Sequence, residues 1–228
     1  MRIGGFQKMT VLDYPGKIAA TVFTYGCNLR CPFCHNASLV VDDSALLRED
    51  EILRYLEKRR GILDGVCVSG GEPLLQTDIE DWLRAIRAIG LAVKLDTNGT
   101  LPHRLAEVIG KGLVDYVAMD IKNSPQRYAE TTGCESVDLD AVRESVSLLM
   151  QAGIPYEFRT TVVRELHTER DIEEIGRWIH GAERYFLQGF IDSGNLIGEG
   201  LSAYTRDEME RLCAVAARHV KTAALRGI

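Results

Sequence analysis

Short runs of β-branched and apolar residues alternate along the chain with longer stretches whose apolar positions recur every three or four residues. The short runs cover 18–25, 63–69, 91–96, 114–121, 155–163 and 184–190, and each predicts a strand. The amphipathic stretches lie near 48–60, 78–89, 102–111, 138–152 and 168–181, with a last one near 205–221. Thr77-Asp78 marks one helix start, and Thr168 with Asp171 brackets another. Strand–helix alternation of this kind predicts an α/β fold with a parallel sheet and right-handed crossovers. An open doubly wound sheet and a barrel share this periodicity, so both stay open here. In either, binding and catalytic groups gather at the C-terminal ends of the strands. No linker or break in composition interrupts residues 1–228, which read as a single domain, and residues 1–17 form a lead-in closing on the turn Asp13-Tyr14-Pro15-Gly16.

Composition narrows the class. The 228 residues are 46% hydrophobic, which favours an ordinary globular core over disorder. No apolar run reaches the length of a membrane span, and the first residues lack a secretory pattern, so the expectation is a cytoplasmic protein with no membrane partner. Six cysteines in that setting read as metal ligands or buried thiols. A net charge of −6 argues against a nucleic-acid partner.

The densest chemistry follows the first predicted strand, in Gly26-Cys27-Asn28-Leu29-Arg30-Cys31-Pro32-Phe33-Cys34-His35-Asn36. Cys27, Cys31 and Cys34 in CxxxCxxC spacing can hold one soft metal centre: an iron–sulfur cluster, zinc or copper(I). A structural zinc site wants four ligands, and a zinc knuckle completed by His35 stays open at this point. Three thiolates on a four-iron cluster would leave one iron accessible for chemistry.

Further polar groups close the later strands. Gly70-Gly71-Glu72-Pro73 sets a carboxylate beside two small residues, a combination suited to an ammonium-bearing ligand or to a plain turn. Asp96-Thr97-Asn98-Gly99 could hold ribose hydroxyls or a cation, or make an Asx turn. Met119-Asp120-Ile121-Lys122 embeds a charge pair at a strand end, as a functional pair or as a surface salt bridge, and Arg159 alternates with apolar neighbours, facing either the ring of strand ends or solvent. Each has a bland alternative, but their placement at the ends of the first five strands in order does not. Cys67, Cys134 and Cys213 read as core or loop residues, and His103, His167, His180 and His219 as caps or surface.

Together, CxxxCxxC followed by His-Asn, then GGEP, DTNG and DIK after successive strands, resembles the radical S-adenosylmethionine (radical SAM) superfamily. Within it the chain is most similar to the glycyl-radical-enzyme activating enzymes. The lead-in Leu12-Asp13-Tyr14-Pro15-Gly16-Lys17, the aromatic Phe33 between the last two cysteines and the short chain resemble the activating proteins of anaerobic ribonucleoside-triphosphate reductase. The resemblance implies a partial (β/α)6 TIM-like barrel. It implies that Cys27, Cys31 and Cys34 ligate a 4Fe-4S cluster whose fourth iron binds S-adenosylmethionine. It further assigns Gly70, Gly71 and Glu72 to the amino group, Asp96, Asn98 and Lys122 to the ribose and carboxylate, and Asn36 and Arg159 to the same cofactor site. In relatives that activate a formate lyase, positions like Asp96, Thr97 and Asp120 also surround a monovalent cation, and Asp13 matches a position that meets the target peptide.

The implied activity is reductive cleavage of S-adenosylmethionine, giving methionine and a 5′-deoxyadenosyl radical that takes a Cα hydrogen from a glycine of the partner. The implied partners are a glycyl radical enzyme, foremost an anaerobic ribonucleotide reductase, and a one-electron donor such as a flavodoxin or ferredoxin. Alternatives within the superfamily are a pyruvate formate-lyase-type activating enzyme and a small-molecule enzyme such as 7-carboxy-7-deazaguanine synthase. Leu187-Gln188-Gly189-Phe190 stands where formate-lyase activators carry a histidine, and the cysteine-rich insert of several other activators is missing. A noncatalytic zinc- or cluster-binding subunit is the alternative from another class.

Overall fold

The computed structural model describes residues 1–41 and 46–228. These fall into two compact units interleaved along the chain. Met1–Asn28, Ser38–Thr97 and Leu101–Ala118 form the first; Leu29–Ala37, Asn98–Thr100 and Met119–Ile228 form the second.

The first unit is built on β1 (Ile3–Thr10), β2 (Ala19–Thr24), α1 (Ala37–Val41), α2 (Glu49–Lys58), β3 (Gly65–Gly70), α3 (Ile79–Ile89), β4 (Ala92–Thr97), α4 (Pro102–Gly110) and the start of β5 (Tyr116–Asp120). Its strands neighbour one another in chain order. β2 pairs parallel with β3 from Ala19↔Gly65 to Thr24↔Gly70, and β3 pairs parallel with β4 from Gly65↔Ala92 to Val68↔Leu95. Side chains alternate across a pleated strand, and parallel strands are covered on both faces. One face here is Ala20, Val22, Val66, Val68, Val93 and Leu95, all fully buried. The other carries the row Thr21–Cys67–Lys94, equally buried yet polar. α3 buries Ile79, Trp82, Leu83 and Ile86 along one stripe and stops at Gly90, whose φ of 91° gives the left-handed C-terminal turn.

The lead-in differs from expectation. Residues 3–10 form β1, antiparallel to β2 from Ile3↔Thr24 to Thr10↔Ala19 with two irregularities. Only Ile3 and Thr10 of β1 are buried, so the run carries no apolar alternation; pairing with β2 makes it a strand. The turn that follows is part of the core. Tyr14 is 2% exposed, packs with Ala19 and Tyr116, and lies so close to Gly65 that a Cβ there would stand 3.0 Å from its ring.

The second unit contains the end of β5 (Met119 and Asp120), α5 (Tyr128–Thr132), α6 (Leu139–Gln151), β6 (Tyr156–Val162), α7 (Glu169–Trp178), β7 (Tyr185–Gly189), α8 (Arg206–Ala216) and β8 (Ala223–Arg226). β6 and β7 pair parallel from Phe158↔Tyr185 to Val162↔Gly189, and β7 and β8 from Tyr185↔Ala223 to Gln188↔Arg226. The Thr168–Asp171 capping box opens α7 as predicted, whereas Asp78 stands at the start of α3 without a side-chain cap bond. α8 ends five residues before the predicted 221, leaving chain for β8, whose four residues carry no sequence signal. Tertiary contacts hold it: Arg226 pairs with the fully buried Glu157 of β6 and lies 3.5 Å over the ring of Phe186. The six predicted strands all form, each end displaced by no more than two residues.

Candidate active site

β2 ends at Thr24, and the chain turns out at Gly26, whose φ of 95° favours glycine. Gly71 N–H donates to the Thr24 carbonyl (2.9 Å) and Glu72 N–H to the Gly26 carbonyl (2.8 Å), so the GGE segment zips onto the segment that delivers Cys27. Both glycines are demanded by that approach. A Cβ at Gly70, where φ is 123°, would lie 2.2 Å from Thr24 N; one at Gly71 would lie 1.9 Å from the Gly26 oxygen. The close approach at the two glycines is thus made by neighbouring backbone.

Glu72 is 0% exposed and accepts from Leu74 N–H and Thr97 Oγ1, each at 3.0 Å. Its carboxylate caps the short turn Pro73–Leu75 and ties the end of β3 to the end of β4. Asp96 accepts from Ser69 Oγ at 3.0 Å and pairs with the ammonium of Lys94, itself 1% exposed and 3.6 Å from Cys67 Sγ. Asn98 does what the plainer reading had: its Oδ1 accepts from Thr100 N–H (3.0 Å) and Thr100 Oγ1 (2.7 Å) in an Asx turn.

Within the second unit the other two cluster candidates are tightly seated. Cys34 N–H donates to the Cys31 carbonyl (3.1 Å), closing a turn, and Arg30 N–H donates to the Thr132 carbonyl (2.9 Å). Gly133 has room for no side chain against the Arg30 carbonyl, and Gly198 N–H donates to the Pro32 carbonyl (2.8 Å). Phe33 is buried edge-on to His167, and exposed His35 faces Phe190.

His167 corrects the sequence reading. It is fully buried, neither cap nor surface. Its Nδ1 accepts from Val163 N–H (3.1 Å), which leaves Nε2–H to donate to the Lys122 carbonyl (2.8 Å). Burial lowers its pKa below the ordinary histidine value, so the ring is the neutral tautomer those bonds require. His167 therefore joins Phe33, between Cys31 and Cys34, to the chain at Lys122.

Asp120, Lys122 and Arg159 come together as one group. Asp120 accepts from Lys122 Nζ (2.9 Å) and Arg159 Nε (2.9 Å), which places Arg159 inward rather than toward solvent. Burial would raise the Asp120 pKa; Arg159 and Lys122 overcome it and hold the carboxyl below the ordinary carboxylate range. Lys122 is correspondingly raised, against desolvation, chiefly by Asp120 and then by Cys31. Asn36 is half-buried at the end of the cysteine segment.

The donor set suits an iron–sulfur cluster. All six cysteines are thiols rather than half-cystines, and Cys27 and Cys34 are partly open to solvent. Among the described residues no three His, Cys, Asp or Glu converge as ligands of a single ion would. A 4Fe-4S cluster takes one thiolate per iron.

The radical SAM superfamily model matches residues 21–179, from β2 through α7. The chain belongs to this superfamily. A Methanocaldococcus jannaschii protein assigned to the glycyl-radical enzyme activating enzymes is 30% identical over 99% of this chain and 96% of its own length, which places the chain among those activating enzymes. The pyruvate formate-lyase-activating enzyme of Listeria monocytogenes is 34% identical over 58% of this chain and 57% of its own length. Among solved structures, Streptococcus suis SuiB superposes with a TM-score of 0.69 at 17% identity, covering 89% of this chain and 47% of SuiB. A domain of a pyruvate-formate lyase-activating enzyme from Bacteroides vulgatus superposes at 0.58 and 18%, covering 72% and 99%. The fold is thus the α/β partial barrel of radical SAM enzymes, which settles the open-sheet alternative, with antiparallel β1 and terminal β8 added to the predicted strands. This radical SAM family implies a 4Fe-4S cluster and S-adenosylmethionine. No helix among the described residues is long and apolar enough to cross a membrane.

Proposed function

We propose that this chain activates an anaerobic ribonucleoside-triphosphate reductase by removing a Cα hydrogen from one of its glycines. Cys27, Cys31 and Cys34 would hold the cluster, and Asn36 would help bind the cofactor. When bound, the cluster supplies the electron that splits S-adenosylmethionine into methionine and the 5′-deoxyadenosyl radical that takes the hydrogen. The chain's own residues bind and orient. Gly70, Gly71 and Glu72 present the amino-group site, with the Glu72 carboxylate fixed in advance by Leu74 and Thr97. Asp96 and Asn98 close β4 toward the ribose. Lys122 and Arg159, with Asp120 neutralising much of their charge, face the carboxylate.

The observation that carries this reading is the three-thiol segment leaving β2, braced by neighbouring backbone at Arg30 and Pro32. The choice of partner rests on the lead-in. Asp13 accepts from Thr21 Oγ1 and Tyr14 is buried, so the Asp13-Tyr14-Pro15-Gly16 turn is built into the fold, and Asp13 matches a position that meets the target peptide in relatives. The electron donor is a flavodoxin or ferredoxin.

The test starts with anaerobic reconstitution by iron and sulfide, reduction, and assay for 5′-deoxyadenosine. The product is expected. The activated protein is then mixed separately with an anaerobic ribonucleotide reductase and a pyruvate formate-lyase, and the glycyl radical is read by EPR. Radical on the reductase alone supports the proposal, and radical on the lyase alone transfers the chain to the other partner. A reduced four-iron protein that yields no 5′-deoxyadenosine sinks the enzyme reading. In the same assay Cys31→Ala should fail to retain the cluster; full iron content and visible absorption would remove Cys31 from the ligand set.

A further inference from the structure

A lysine in the middle of a parallel strand is costly to bury, because removing an ammonium from water is repaid only by a close anionic partner. Lys94 sits in β4 at 1% exposure, in register with Cys67 on β3. Its stem is enclosed by the sheet and its ammonium meets the Asp96 carboxylate, two residues along the same face. Ser69 Oγ holds the other oxygen of that carboxylate at 3.0 Å. Asp96 is thereby fixed from two sides at the strand end that the proposed function gives to S-adenosylmethionine.

Asp96 is one of the positions that likeness to formate-lyase activators would give to a monovalent cation. Such a cation does not fit at Asp96, because that carboxylate already carries a positive group of the chain's own. We propose that Lys94 is a built-in replacement for it. The lysine is a positioning residue that orients Asp96 and supplies the positive charge internally, so cofactor binding by this chain needs no added sodium or potassium. The proposal rests on the reading that S-adenosylmethionine is the ligand.

The experiment is equilibrium binding of S-adenosylmethionine to the anaerobically reconstituted protein, in buffers whose monovalent cation is potassium, sodium or the bulky tetramethylammonium. The natural protein should bind equally in all three. Lys94→Met should bind about ten- to a hundredfold more weakly in tetramethylammonium, the span expected for losing a hydrogen bond to a charged group, and recover in potassium or sodium. Broadening of the thallium(I) NMR line gives a readout that needs no ligand: thallium should bind the variant and not the natural protein. Should Lys94→Met fail to fold, Lys94→Met with Asp96→Asn removes both charges and should bind the cofactor weakly in every buffer. A natural protein that binds S-adenosylmethionine only with potassium or sodium overturns the inference and leaves the proposed function standing. One that binds none in any buffer overturns both, and a doubly substituted protein with undiminished affinity removes Asp96 from the site.

Discussion

Gly71→Ala puts the backing of the cysteine segment to a direct test. The added Cβ would sit 1.9 Å from the Gly26 oxygen, 2.5 Å from its carbon and 3.2 Å from Cys27 N. All three are backbone atoms, so no side chain can swing aside. Reaching ordinary contact at 3.4 Å requires the segment before Cys27 to retreat by about 1.5 Å, since its present separation is 1.9 Å. That movement breaks the 2.8 Å bond from Glu72 N–H to the Gly26 carbonyl. Overpacking of this kind costs about 1–3 kcal/mol and the lost bond about 1 kcal/mol more. Few proteins of this size unfold on such a loss, but a ligand displaced by about 1 Å can cost on the order of a hundredfold in function. The assay is iron per chain and visible absorption after anaerobic reconstitution, with chemical denaturation alongside. Gly110→Ala is the control: the Cβ there meets nothing within 4 Å, and alanine in an accommodating helix position stabilises by up to about 1 kcal/mol. A Gly71→Ala protein with full iron content and natural stability would refute the reasoning.

Other expectations follow from buried groups. Arg226→Met leaves the Glu157 carboxylate fully buried without its bidentate partner and should cost about 3–5 kcal/mol. An unfolding free energy within about 1 kcal/mol of the natural protein's would show that β8 is held by something else. Tyr14 has its pKa raised from 10.0 to about 12, first by burial and then by the nearby Asp115. Between those values the unfolded chain loses the phenol proton and the folded chain keeps it, so stability falls as pH rises from 10.0 to about 12. Urea unfolding across that window should show the decline, and Tyr14→Phe should flatten it; equal slopes in the two proteins would remove Tyr14 as the cause.

The legible parts of the chain were those whose signal is local. Val66, Val68, Val93 and Leu95 announce buried parallel strands because such strands are covered on both faces and need apolar residues throughout. CxxxCxxC, GGE and DTN could be read because short spacing and small residues record what the backbone must do at a strand end. His167 could not be placed, since its three partners, Phe33, Val163 and Lys122, converge from distant or turning stretches of chain. Lys94 did carry a signal, a lone cation inside an otherwise buried run, but its meaning required Cys67 and Asp96 to be set beside it.

By itself, then, the sequence determined six strands, their helices, the three thiols and the family, because hydrophobic period and ligand spacing are properties of neighbouring residues. Only the tertiary structure decided that residues 3–10 pair as an edge strand, that Arg226 ties down β8, and that Gly71 N–H is taken by the Thr24 carbonyl and Glu72 N–H by the Gly26 carbonyl. It also decided how each carboxylate is held: Glu72 by hydrogen bonds from Leu74 and Thr97, Asp96 by an ion pair with Lys94, Asp120 by ion pairs with Lys122 and Arg159. Charge pairing and close backbone approach depend on atoms brought together from separate strands, and no period along the chain records them.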